Sequence, residues 1–223
     1  MHDENKVNDK LNETRLRLIV KLMPYVLKNG FQALRMDDIA KIMDVSRATL
    51  YKYFSAKEEI IGGLVEGFVT YINELVGDEM ESERSYGIRF QRLFEQSVLL
   101  AVNITDVFLK ELTDSYPNGY DRLKNAMQKR EQQLLDFYAE GVQKGIFNKI
   151  SGKLLILQDE LLQSMIDVKY LVENQLSVHQ VLSDYYILKK LQLFKPEKLE
   201  VVDDELMSPR FDYLVQKINK SLY

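Results

Sequence analysis

The 223-residue sequence contains no cysteine and only 2 histidines, 4 prolines and 10 glycines. Without cysteine there is no disulfide framework, no thiol nucleophile and no thiolate metal site, an absence that fits a reducing cytoplasm. The two histidines, His2 and His179, give little support to imidazole acid–base chemistry or to histidine metal sites. Few glycines and prolines mean few turns, which favours long helices over many short strands. Long apolar runs are missing as well. The longest uncharged stretches, Gln96–Thr105 and Asn174–Ser183, are ten residues each, well short of a membrane span. The opening Met1-His2-Asp3-Glu4-Asn5-Lys6 lacks the apolar centre of a signal peptide. A cytoplasmic protein with no membrane partner is expected. No glycine-rich phosphate loop is present, and carboxylate pairs such as Asp203-Asp204 fall in an acidic linker where solvation explains them. The sequence therefore reads as a non-enzyme, with no cofactor and no metal.

What is present is charge and helical periodicity. Net charge is −4, but residues 1–60 hold 11 Lys and Arg against 9 Asp and Glu, and the remainder 19 against 25. A mildly basic N-terminal quarter on an acidic body is compatible with a nucleic-acid partner without establishing one. Asn8–Asn29 carries apolar residues at helical spacing and stops at Asn29-Gly30. Pro24 inside it predicts a kink or break near Val20–Pro24. Ser55-Ala56-Lys57-Glu58 has the form of a capping box. It opens a long helix with one apolar face: Ile60, Ile61, Leu64, Val65, Phe68, Val69, Ile72, Leu75 and Val76. Further helices are expected near Tyr86–Asn103, Thr105–Ser115, Asn118–Lys144, Gly152–Asn174 and Ser177–Phe194. An acidic linker, Pro196–Ser208, leads to a last helix at Pro209–Leu222. No segment alternates like a strand, so the fold class is all-α.

Between these lies a shorter pattern. Asp37–Met43 reads as a helix with Ile39, Ala40 and Met43 facing inward. Asp44-Val45-Ser46 suits a tight turn, where Asp tolerates unusual backbone angles. Ser46 is a natural N-cap for a second helix, Arg47–Tyr53. Leu50 and Phe54 face the core, leaving Arg47, Ala48, Thr49, Tyr51, Lys52 and Tyr53 toward solvent. This is the outline of a helix-turn-helix, and its side chains suit double-stranded DNA. Arg47 can fork onto a guanine edge, Thr49 can bond a base or phosphate, and the Ala48 methyl can meet a thymine methyl. Tyr51, Tyr53 and Lys57 suit phosphate oxygens.

The wider string of Gly30-Phe31-Gln32-Ala33, Met36-Asp37-Asp38-Ile39-Ala40-Lys41 and Val45 through Glu58 closely resembles the signature of the tetracycline-repressor (TetR) family. Its T-L-Y-x-x-F and S-x-K-E elements are the specific ones, and the likeness covers about residues 11–65. The resemblance implies a three-helix DNA-binding domain, residues 1–54. A larger helical ligand-binding and dimerisation domain, residues 55–223, would follow. It points by position to Ser46, Arg47, Thr49, Tyr51, Tyr53 and Lys57 as DNA contacts. Arg35 stands where many members have Thr and could reach a phosphate, and Asp44 replaces the usual turn glycine. Gly141, Gly145 and Phe147 look like the end of the family's long seventh helix.

In the larger domain, the resemblance implies a two-fold four-helix dimer interface on the last two long helices before the linker, with Leu154, Leu161, Met165, Val181, Tyr185 and Leu188 as candidates. Phe68, Phe94, Phe108, Tyr116, Tyr120, Tyr138 and Tyr170 could line a pocket for a small amphipathic or apolar effector, though each taken singly fits a plain core better. Asp167 and Lys169 could anchor such a ligand or merely face solvent. The leading expectation is a homodimeric repressor released from a palindromic operator by a small molecule. The alternative is a DNA-binding protein without such an inducer, controlled by a protein partner or acting architecturally.

Overall fold

The computed structural model describes residues 2–74 and 82–222. Among them are twelve α-helices, beginning with α1 (His2–Asn29), α2 (Met36–Ile42), α3 (Arg47–Tyr53) and α4 (Lys57–Asn73). Then follow α5 (Glu83–Asn103), α6 (Asp106–Ser115), α7 (Pro117–Gln143) and α8 (Gly152–Glu160). Last come α9 (Leu162–Met165), α10 (Val168–Glu173), α11 (Val178–Leu193) and α12 (Ser208–Leu222). No strand occurs among the described residues; Phe147 and Phe194 form an isolated antiparallel bridge. The fold is all-α. Leu75 and Val76, expected on the face of α4, lie outside the described residues.

The chain packs as two compact units, residues 1–71 with 104–126 and residues 72–103 with 127–223. The first unit thus gathers α6, the start of α7 and most of α4 around the three N-terminal helices, where a boundary at Phe54 was expected. Its core takes Leu18, Leu22 and Val26 from α1, Ile39 from α2, Leu50 from α3, Ile60 and Leu64 from α4, and Phe108 and Leu112 from α6, all buried. The second unit is built on aromatic contacts: Phe147 meets Phe194 edge-on at 4.8 Å and Phe137 at 5.1 Å between centroids, and Phe94 meets Tyr186 at 5.2 Å.

Three expectations about helices change. Pro24 does not break α1, which runs unbroken to Asn29. Pro24 and Val20 are both exposed, so the carbonyl that loses its amide partner lies on the solvent side, where water can serve it. The expected helix over 152–174 is three short ones: the chain breaks at Leu161 between α8 and α9, and Asp167 turns its carboxylate back to accept the Tyr170 amide at 3.1 Å and starts α10. The interruptions let Leu155, Leu162, Ile166 and Leu171 all reach the core. The acidic linker is no loose tether either. Residues 196–206 form two 3₁₀ turns, with Val202 and Met207 buried. Asp203 pairs with Arg84 at 3.4 Å, and Asp204 pairs with Lys190 at 2.6 Å while accepting the Tyr186 hydroxyl at 3.0 Å.

Candidate nucleic-acid interface

The turn between α2 and α3 is made locally. Asp44 adopts a positive φ of 57°, the left-handed conformation that Asp tolerates better than most residues. Ser46 then caps α3: its Oγ accepts the Thr49 amide at 3.0 Å and exchanges a hydrogen bond with Thr49 Oγ1 at 2.8 Å. Met43, Leu50 and Phe54 are buried, which fixes the rotation of both helices. Arg47, Ala48, Tyr51 and Lys52 are thereby left exposed, with Thr49 and Tyr53 half-buried, and Arg35 is exposed just ahead of α2. All these residues sit in one short segment, and the N-terminal turn of α3 presents Arg47 and Ala48 outward, the end that reads base edges in such motifs.

Asp37 joins this group without having been singled out in the sequence. Its carboxylate faces the Arg47 guanidinium, Oδ1 to Nε at 3.1 Å and Oδ2 to Nη1 at 3.4 Å. The same guanidinium lies 5.6 Å from the centroid of the Tyr51 ring. Arg47 is thus steadied by a carboxylate from α2 and an aromatic face one turn along its own helix. Nothing in the spacing of Asp37 and Arg47 announces this, because the pairing depends on the crossing of two helices.

The segment entering α2 is gripped from two sides. The Lys57 ammonium donates to the carbonyls of Phe31, Gln32 and Leu34 at 3.3, 3.0 and 3.1 Å, so its three protons are all engaged inward. Lys57, expected at a phosphate, braces these three carbonyls in the chain without DNA. From α6, Glu111 accepts the amides of Phe31 and, at 2.9 Å, of Gln32. Gly30 allows this approach: its φ is +79°, and a Cβ there would lie 2.3 Å from the Glu111 carboxylate. The start of α4 differs from the expected capping box. Ser55 donates its amide, at 2.8 Å, to Glu59 rather than Glu58. Glu59 also binds Arg15, whose guanidinium stacks 4.9 Å from the Phe54 ring centroid. The Ser55 amide first, and Arg15 after it, hold the Glu59 carboxyl below the ordinary range.

Residues 27–64 match the family described as bacterial regulatory proteins, tetR family. The helix-turn-helix is a TetR-family domain. Over 67 residues the chain is 28% identical to the uncharacterized HTH-type transcriptional regulator YvaF of Bacillus subtilis (strain 168). That alignment spans 30% of this chain and 35% of YvaF, about a third of the relative's length. Among solved structures, the ketosteroid transcriptional regulator KstR2 of Mycobacterium tuberculosis superposes with a TM-score of 0.57 at 18% identity, covering 82% of this chain and 95% of that one. The TetR-family protein CprB from S. coelicolor A3(2) gives 0.56 at 15% identity, covering 95% and 98%. A Saccharomonospora viridis protein crystallised with choline gives 0.57 at 17%, covering 82% and 99%. At these identities the likeness establishes the TetR-family fold.

The aromatic residues expected around a ligand are divided between the two units. In the first unit, Phe68 and Phe108 are buried with centroids 5.9 Å apart, and Phe31 packs on Phe108 and Tyr116 at 6.0 and 5.5 Å. Tyr120 is half-buried, with Lys124 Nζ 5.9 Å from its ring centroid. Phe94 and Tyr138 belong to the second unit and line a cavity of about 10 Å³, room for a single water. Tyr170 is exposed, and so is Lys169, which pairs with Glu173 at 3.9 Å. Phe68, Phe94, Phe108 and Tyr138 are buried in the cores of their own units, which periodicity does not distinguish from a pocket wall.

The expected interface residues also divide. Leu154, Leu161 and Leu188 are each about half exposed, and Met165 is partly buried. Val181 and Tyr185 do not reach the surface; they are buried in their own unit. Leu157, Ile187 and Leu191 are exposed instead. The Tyr185 hydroxyl donates to Asp159 at 2.7 Å, in a buried cluster where Asp159 also binds the Lys189 ammonium and accepts Ser97 Oγ at 2.8 Å. Burial pulls the Lys189 ammonium below its usual range despite the attraction of Asp159.

Proposed function

We propose that this protein is a sequence-specific DNA-binding transcription regulator acting as a homodimer. Residues 1–54 would carry the DNA contacts, and the rest would serve dimerisation and control. The observation that carries the reading is the outward presentation of Arg47 and Ala48 on a capped α3 whose other face is locked by Leu50 and Phe54. Arg47 and Thr49 would read bases, with Ala48 on a thymine methyl. Arg35, Ser46, Tyr51, Lys52 and Tyr53 would hold phosphates. Exposed leucines on α8 and α11 support a second copy docking there, and two recognition helices one DNA turn apart would read a palindrome. Repression relieved by a small molecule is the expected mode of control.

A second reading, a DNA-binding protein without a small-molecule inducer, controlled by a protein partner or acting architecturally, is supported by the small size, about 10 Å³, of the cavity that Phe90, Phe94 and Tyr138 line in the aromatic core of the second unit. Selection from random duplex DNA tests the main reading. A palindrome should emerge, and Arg47→Ala should lose about 1–3 kcal/mol at one symmetric position. No enriched motif, with equally weak binding by both proteins, would overturn it.

A further inference from the structure

Within the first unit, between the first half of α4 and the turn joining α6 to α7, lies an open groove of about 300 Å³. That volume is at the lower end of small-molecule sites. Ile61, Val65 and Leu112 give it an apolar lining. Gly62 is part of the lining, and a Cβ at that position would enter open space. The rim is polar and carries an unbalanced charge. Arg122 is bound to Glu66. Glu58 has, among the described residues, only the Tyr116 hydroxyl at 3.4 Å as a hydrogen-bonding partner, and no cation.

We propose that this groove binds a small amphipathic amine, its ammonium seated on the Glu58 carboxylate and the Tyr116 hydroxyl oxygen, its hydrocarbon part on Ile61, Val65 and Leu112. An ammonium gains a charge-assisted bond at Glu58, whereas a carboxylate of the same size meets like charge there. The apolar lining contributes in proportion to the hydrocarbon it covers. The walls of the groove are also the elements that grip the entry to α2. Lys57 precedes Glu58 on α4, and Glu111 precedes Leu112 on α6. A ligand that spreads these walls pulls on residues 31–34 and so on the helix-turn-helix. Only this consequence rests on the DNA-binding reading; the site itself does not.

Isothermal titration of the full chain with phenethylammonium, without DNA, tests the site, with 3-phenylpropionate as the matched anion. Saturable binding of the amine is expected, weakened about tenfold by Glu58→Gln. It should be lost in Gly62→Leu, which fills the groove with a better helix former. Circular dichroism melts establish that both variants fold. The proposal is overturned if 3-phenylpropionate binds as tightly, if Glu58→Gln binds the amine unchanged, or if phenethylammonium shows no saturation up to about 10 mM. Because no DNA is present, such a failure leaves the DNA-selection result standing, and the reverse also holds.

Discussion

Replacing Lys57 with methionine separates two roles that one lysine at the start of α4 can have. In the structure its ammonium bonds three carbonyls, two of them part-buried at Phe31 and Leu34 and one exposed at Gln32. Methionine keeps the stem and removes all three donors. The Phe31 carbonyl keeps the Leu34 amide at 3.1 Å and water serves the exposed Gln32 carbonyl, so only the Leu34 carbonyl is left without a partner and a loss of about 1 kcal/mol is expected. Urea denaturation followed by circular dichroism should show a lower midpoint at unchanged slope. Affinity for the selected DNA site, measured at several salt concentrations, should fall with no change in salt dependence, because no phosphate contact is removed. A lysine that neutralises a phosphate behaves in the opposite way. Stability would hold, and the log–log salt slope would shrink by about 0.9. That result would refute the bracing role.

Asp159→Ala strands the buried Lys189 ammonium and should cost about 3–5 kcal/mol, whereas Asp159→Leu with Lys189→Met removes both charges and should cost less, about 1–3 kcal/mol for the Tyr185 and Ser97 hydroxyls that lose their acceptor, both read from urea midpoints. Leu161→Asp with Leu188→Asp puts charge just past the end of α8 and on the exposed face of α11 and should give a folded monomer by sedimentation; an unchanged dimer would move the interface elsewhere. Glu59 has its carboxyl lowered from 4.5 by the Ser55 amide and Arg15. The stability it contributes is present above its unfolded pKa and lost as pH falls through the lower folded value. The melting difference between wild type and Glu59→Gln should therefore shrink from about pH 6 to about pH 3.

The helix-turn-helix was legible because its determinants are local. Ser46 caps a helix three residues on, Asp44 turns the chain at its own φ, and the spacing of Ile39, Met43, Leu50 and Phe54 marks the buried face. The same local logic erred where two acids compete: Glu58 and Glu59 both follow Ser55, and the one that also meets Arg15 takes the Ser55 amide. It erred again over 152–174, where periodicity sustains a helix and only Asp167, read as an anchor or a solvated face, signals a new cap.

What the sequence by itself determined is the all-α class, the two short helices with their turn, and the face that α3 shows to solvent, because caps, turns and periodicity act over a few residues. Tertiary structure alone decided what each exposed or half-buried charge does. Arg47 meets Asp37 ten residues back, Glu111 meets Phe31 eighty residues away, and Lys57 turns inward to carbonyls 23 to 26 residues earlier. It also decided which aromatics became core and that a groove opened between α4 and the α6–α7 turn. A hydrogen bond is set by where helices cross, and a single residue pattern is compatible with many crossings.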